Sequence, residues 1–161
     1  MVFKNATVLT DDFRFKQTNV AISNDRISDI GENISGEGVD FSGKYIIPGL
    51  VDIHTHAALG TDTMDKDYDF NKVENYFFSN GVTTFFPTTI SGTNEDILYT
   101  LNMLGKNERV VGINLEGPYI SKKNKGAHNE DVIRSGNIAE LKEYISASNG
   151  KLKLTTVAPE T

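Results

Sequence analysis

The rhythm of apolar positions changes once along this chain, near residue 44. Before that point Val2 to Leu9, Phe13 to Ile22 and Arg26 to Ile30 read as short strands, punctuated by Asp11-Asp12, Asn24-Asp25 and Gly36-Glu37-Gly38. Arg14, Lys16 and Thr18 alternate with Phe13, Phe15 and Gln17, which suits a strand with one face in water. Residues 1–44 are therefore expected to form a small antiparallel sheet. After Lys44 four short apolar runs follow: Tyr45 to Ile53, Val82 to Thr88, Val110 to Leu115 and Leu152 to Val157. They read as buried parallel strands. Between them Phe70 to Asn80, Glu95 to Lys106 and Gly136 to Ser148 carry apolar residues near helical spacing, with Asn94 and Asn137 placed to cap. Strand and helix thus alternate as β/α units over 45–161, which predicts an α/β class.

Each predicted parallel strand ends on residues that would be odd inside a core: His54 and His56, Pro87-Thr88, Glu116-Gly117-Pro118, and Pro159-Glu160. In α/β barrels the reactive groups sit at the carboxyl ends of the strands, so the chemistry is sought there.

Composition narrows the classes. The 161 residues are 38% hydrophobic, enough for an ordinary core, and 16 basic against 22 acidic residues leave a net charge of −6. The charges are scattered, so the basic footprint of a nucleic-acid binder is missing. No cysteine is present, which excludes disulfides and thiolate metal sites and fits a reducing compartment. Neither a signal-like apolar run at the start nor a stretch of about 18 apolar residues occurs, so a soluble cytoplasmic protein without a membrane partner is expected.

Pro48 to His56 is the sharpest local feature, an apolar strand running into two histidines spaced i and i+2. On a strand that spacing turns both imidazoles to one side, so two nitrogen ligands can converge on one cation. The plain alternative is a pair of polar residues at the start of a loop. Glu116 follows an apolar run and precedes Gly117-Pro118; a carboxylate where a buried strand breaks is a ligand, one half of an ion pair, or a solvent-exposed turn residue. His128 lies in Lys125-Gly126-Ala127-His128-Asn129, whose spacing alone gives no metal geometry, and Lys122, Lys123 and Lys125 read as a solvated charge run or a patch attracting phosphate. Thr83, Thr84, Thr88 and Thr89 are β-formers without assigned chemistry. Asp62, Asp65, Asp67 and Asp69 do not match an EF-hand spacing and read as a solvated loop.

Four segments together, Pro48 to His56, Gly81 to Thr88, Asn114-Leu115-Glu116-Gly117-Pro118-Tyr119 and Lys125 to Asn129, resemble the N-acetylglucosamine-6-phosphate deacetylases of the amidohydrolase superfamily. The first segment fits many amidohydrolases; Leu-Glu-Gly-Pro followed by Lys-Gly-x-His is far more specific. The resemblance implies an amidohydrolase-type (β/α)8 barrel, of which about four β/α units lie in 45–161, preceded over 1–44 by part of a small β-sandwich. It implies one or two divalent ions, zinc, iron or manganese, with His54, His56 and Glu116 as ligands, and Ala127 and His128 against a phosphorylated amino sugar. The implied reaction is hydrolysis of N-acetylglucosamine 6-phosphate to glucosamine 6-phosphate and acetate, by a homo-oligomeric enzyme.

The same resemblance places a catalytic aspartate and two further metal-binding histidines beyond Thr161, so no catalytic residue is expected in this chain and it is expected to be inactive alone. Two other readings stand beside it. One is a cyclic-amide hydrolase of the same superfamily, which would need a bridging lysine where this chain has Glu116. The other is a non-catalytic metal-binding half-barrel completed by a partner. The unpaired flanks of four parallel strands are expected to favour association.

Overall fold

The apolar run over Tyr45 to Ile53 is broken in two. In the computed structural model, which describes residues 1–160, Tyr45–Ile46 (β5) pairs with a strand near the amino terminus, whereas Leu50–Thr55 (β6) opens a second sheet. The break falls at Pro48-Gly49. Proline has no N–H for a ladder, and a Cβ on Gly49 would lie 1.9 Å from Thr83 Oγ1, so a larger residue would push β6 off its neighbour. The chain divides there into two units, Met1–Pro48 and Gly49–Thr161.

In the first unit β1 (Val2–Leu9), β2 (Phe15–Ser23) and β3 (Arg26–Gly31) pair antiparallel as the alternation predicts. Two short strands, β4 (Val39–Asp40) and β5, add to β1 in parallel, which the sequence reading did not foresee. The alternation did not fix which face of β2 points inward. Thr18 lies opposite Ala6, and with Val8 and Val20 these residues fill the inner face, while Phe13 and Phe15 are exposed. Phe15 instead meets Tyr45 edge-on at 5.3 Å on the outer face. A one-residue difference in facing moves a whole side-chain set, because strand periodicity is two.

The second unit is a four-stranded sheet in the order β6, β7 (Val82–Thr89), β8 (Ile113–Glu116) and β9 (Leu152–Thr156), every pairing parallel. Three helices make the crossovers: α1 (Phe70–Ser79), α2 (Asn94–Lys106) and α3 (Ile138–Ala147). On α1 the buried residues Phe70, Val73, Glu74 and Phe77 follow the i, i+3, i+4, i+7 spacing of one helix face. Ile97, Leu101 and Leu104 of α2 and Tyr144 of α3 join them in one core with Phe85, Ile113 and Leu115. Each such fully buried aliphatic side chain contributes roughly 1.5–3 kcal/mol. Strands in sequential order with helices sharing one core place the helices on one face of the sheet, unlike a doubly wound sheet whose order reverses.

Helix starts follow capping chemistry. Asp69 Oδ1 accepts from Lys72 N, and Asn137 Oδ1 accepts from Ala139 N and Glu140 N as predicted. For α2 the cap is Thr93 rather than Asn94, because Thr93 holds the extended backbone and its Oγ1 accepts from Asp96 N. The expectation of four buried strands holds for β7 and β8 only. Leu50, Val51 and Ile53 of β6 and Leu154 of β9 are exposed, since each of these strands has a sheet neighbour on one edge alone. Val110 to Gly112 lies outside β8, turned by a bond from Val110 N to Asn107 O. Among the described residues no helix is long and apolar enough to cross a membrane.

Candidate metal centre

The carboxyl ends of β6 and β8 bring three sequence-predicted residues to one point. Glu116 Oε2 lies 2.8 Å from His56 Nε2 and 3.1 Å from His54 Nε2, and these ligand atoms all fall within 4.8 Å of one another. For a tetrahedral cation with bonds of 2.0–2.1 Å the ligand atoms stand about 3.3 Å apart. The two spacings to Glu116 are near that, and two imidazole nitrogens with a carboxylate oxygen form a donor set suited to such an ion. The residues present therefore fit a divalent metal. His56 Nδ1 is buried and without a hydrogen bond, and the Asp62 carboxylate stands beside it with Oδ2 at 3.9 Å.

Electrostatics agree with a carboxylate ready to bind. Burial pushes the Glu116 carboxyl up, but His54, His56 and His128 around it outweigh that and hold it below the usual carboxylate range. The strand and turn set its position: Ile113, Asn114 and Leu115 are buried, and Gly117 follows with φ of +73°, where a Cβ would meet Ser91 Oγ at 2.1 Å. Glycine is required there on both counts.

His128 approaches the same carboxylate from another side, its Nε2 3.6 Å from Glu116 Oε1, and it is buried. Its Nδ1 accepts from Ser91 N at 3.1 Å and lies 2.7 Å from Ser91 Oγ. A backbone N–H can only donate, so Nδ1 presents its lone pair and the ring proton sits on Nε2, facing the site. That tautomer suits a hydrogen-bond donor, and it separates His128 from the two converging nitrogens of His54 and His56. Ala127 is exposed next to it, and both line a cavity of about 560 Å³ together with His54, His56, Glu116 and Val157.

The loop from Tyr119 to Arg134 that carries Ala127 and His128 is tied down by a polar network. Arg134 donates to both oxygens of Glu140, to Tyr144 Oη and to the carbonyls of Gly92 and Val132, while Tyr119 Oη donates to Glu140 Oε2 at 2.6 Å. Lys125 Nζ donates to His128 O at 2.9 Å, so that lysine serves the loop; Lys122 and Lys123 are exposed. The acidic stretch also has local duties: Asp65 Oδ2 accepts from Asp62 N, and Asp69 caps α1.

Three residues of this region were missed from the sequence: Ser91, Thr88 and Asn114. Asn114 carried a signal, since an amide between Ile113 and Leu115 in a buried strand must find hydrogen bonds. Thr88 and Ser91 carried none, because the groups they meet, Thr55 N and the His128 ring, are distant in sequence.

No protein-family model matches the chain. Individual relatives do. An N-acetylglucosamine-6-phosphate deacetylase of Lysinibacillus sphaericus is 29% identical over 171 residues, covering 99% of this chain and 44% of that protein. The enzyme of the same name from Vibrio furnissii is 37% identical over 123 residues, 71% of this chain and 31% of its own length. An N-acetylgalactosamine-6-phosphate deacetylase of Escherichia coli O157:H7 is 33% identical over 125 residues, 73% of this chain and 33% of that protein. Among solved structures, the N-acetylglucosamine-6-phosphate deacetylase of Thermotoga maritima superposes with a TM-score of 0.77 at 32% identity, over 89% of this chain and 39% of that one. The chain thus spans less than half the length of these relatives, and over that part it is similar to N-acetylglucosamine-6-phosphate deacetylases.

Proposed function

We propose that this chain supplies metal ligands and sugar contacts to a divalent-metal amide hydrolase that removes the acetyl group from N-acetylglucosamine 6-phosphate. The observation that carries the reading is the convergence of His54, His56 and Glu116 at strand ends, beside a cavity that Ala127 and His128 also line. On this reading residues 45–161 are the first β/α units of an amidohydrolase-type barrel and residues 1–44 part of a small β-sandwich. The sequential parallel order of β6 to β9 and the one-sided helices support it.

His54, His56 and Glu116 would hold the ion. Bound there, a divalent cation supplies Lewis acidity toward an amide carbonyl and lowers the pKa of water. His128, with its proton on Nε2, donates a hydrogen bond to the substrate from the wall of the cavity, and the exposed backbone at Ala127 lies against the sugar. The acid/base that carries the proton to the departing amine is not among these residues.

A second substrate has a specific claim, because the Escherichia coli relative is named for the galactosamine epimer. The test is acetate release by the full product of the gene, offered N-acetylglucosamine 6-phosphate and N-acetylgalactosamine 6-phosphate in parallel. Faster release from the gluco epimer, abolished by Glu116→Gln, is expected. Preference for the galacto epimer would transfer the substrate assignment, and no release from either would refute the deacetylase reading.

A further inference from the structure

The His54-Thr55-His56 segment leaves the regular ladder of its sheet. Pairing of β6 with β7 starts at Leu50 opposite Val82, shifts once to run Val51 to Thr84 and Asp52 to Phe85, then slips again and resumes at Thr55 opposite Pro87. Ile53 and His54 fall in the slip, and Pro87 has no N–H to offer. Side chains take over the backbone groups on either side of His54. Asn114 Nδ2, on β8, donates to Ile53 O at 3.1 Å, and Thr88 Oγ1, on β7, accepts from Thr55 N at 3.0 Å. Asp52 Oδ1 accepts from His54 N at 3.0 Å, an exposed bond open to competition from water.

Thr88 and Asn114 are themselves buried and sit opposite each other across β7 and β8. The Thr88 hydroxyl donates its own proton to Phe86 O at 3.1 Å, so its oxygen is fixed in the orientation that receives Thr55 N. Asn114 Oδ1 is buried without a hydrogen bond. A group left so is unfavourable, and an apolar residue of the same size would avoid it. What asparagine provides that leucine does not is the donor to Ile53 O.

We propose that Thr88 and Asn114 are positioning residues for the metal-binding histidines: they fix the peptide groups flanking His54 and so aim both imidazoles at Glu116. The inference rests on the metal reading of the preceding subsection. Groups that orient ligands in this way commonly change metal affinity about 10–100-fold when removed.

The test is a cobalt(II) titration of the chain, followed by its visible d–d absorption, for the parent, Thr88→Val, Thr88→Ser and Asn114→Leu, with far-UV circular dichroism as the check of folding. Thr88→Val and Asn114→Leu are expected to bind cobalt about 10–100-fold more weakly with a changed band shape, and Thr88→Ser to restore both. If Thr88→Val does not fold, Asn114→Leu and Thr88→Ser carry the comparison. Folded variants that bind as the parent does, with the same spectrum, overturn the inference and leave the metal reading intact. A parent that binds no cobalt removes the metal reading, and the inference with it.

Discussion

Replacing Glu140 by glutamine keeps the shape of the Tyr119, Arg134, Glu140 and Tyr144 network and removes its one negative charge. Glu140 accepts two bonds from Arg134 Nε at 3.1 Å each, one from Nη2 at 2.8 Å, and one from Tyr119 Oη at 2.6 Å. Hydrogen bonds to charged groups contribute about 1.5–3 kcal/mol, and breaking a fully buried pair costs about 3–5 kcal/mol. The Arg134 side chain is 30% exposed, so water recovers part of its solvation and the lower range applies, near 2 kcal/mol. For a chain of this size that lowers the thermal midpoint by about 4–8 °C. Burial pushes the Glu140 carboxyl up, but the bonds from Arg134 and Tyr119 outweigh it and leave it below its ordinary value. A carboxyl depressed in the folded state contributes stability that is present above its unfolded pKa and lost as pH falls through the folded one. Thermal scans of parent and Glu140→Gln by circular dichroism should therefore differ fully between about pH 6 and 8 and converge below about pH 4.5. Equal midpoints at neutral pH, or a gap that widens on acidification, would refute the reasoning.

Two further substitutions probe packing within the second unit. At Gly105, on α2, an added Cβ would meet backbone, Ala147 O at 2.7 Å and Ser148 C at 2.8 Å, so Gly105→Ala should force α2 from the end of α3 and cost about 1–3 kcal/mol, read as a lower urea midpoint. Gly117→Ala combines a left-handed φ of +73° with contact against Ser91, so it should cost on the order of 1–2 kcal/mol and also weaken zinc binding, since both Glu116 and the Ser91 bond to His128 would shift. Unchanged zinc affinity in that variant would show that the turn does not set Glu116.

Much of the second unit was legible because its signals are local. Three helices and the parallel strands follow from apolar spacing and turn residues, and the His-x-His strand and the acid before Gly117-Pro118 announce themselves by polarity at the end of an apolar run. What escaped depends on partners that local pattern does not encode. The inward face of β2 does not follow hydrophobicity: Phe15 outranks Thr18, yet Thr18, paired with Ala6, is the buried one. Strands β4 and β5 are two residues each, too short to show a period. Thr88 and Asn114 bond to peptide groups 33 and 61 residues away; Thr88 looks like an ordinary β-former, and the buried amide of Asn114 signals a need for partners without naming them.

The most direct test of the account is a crystal of this chain soaked in a zinc salt and measured at the zinc absorption edge. The account predicts one anomalous peak about 2.0–2.2 Å from His54 Nε2, His56 Nε2 and a Glu116 carboxylate oxygen, missing in Glu116→Gln. An empty site, or a peak elsewhere on the chain with these three residues unliganded, would contradict it.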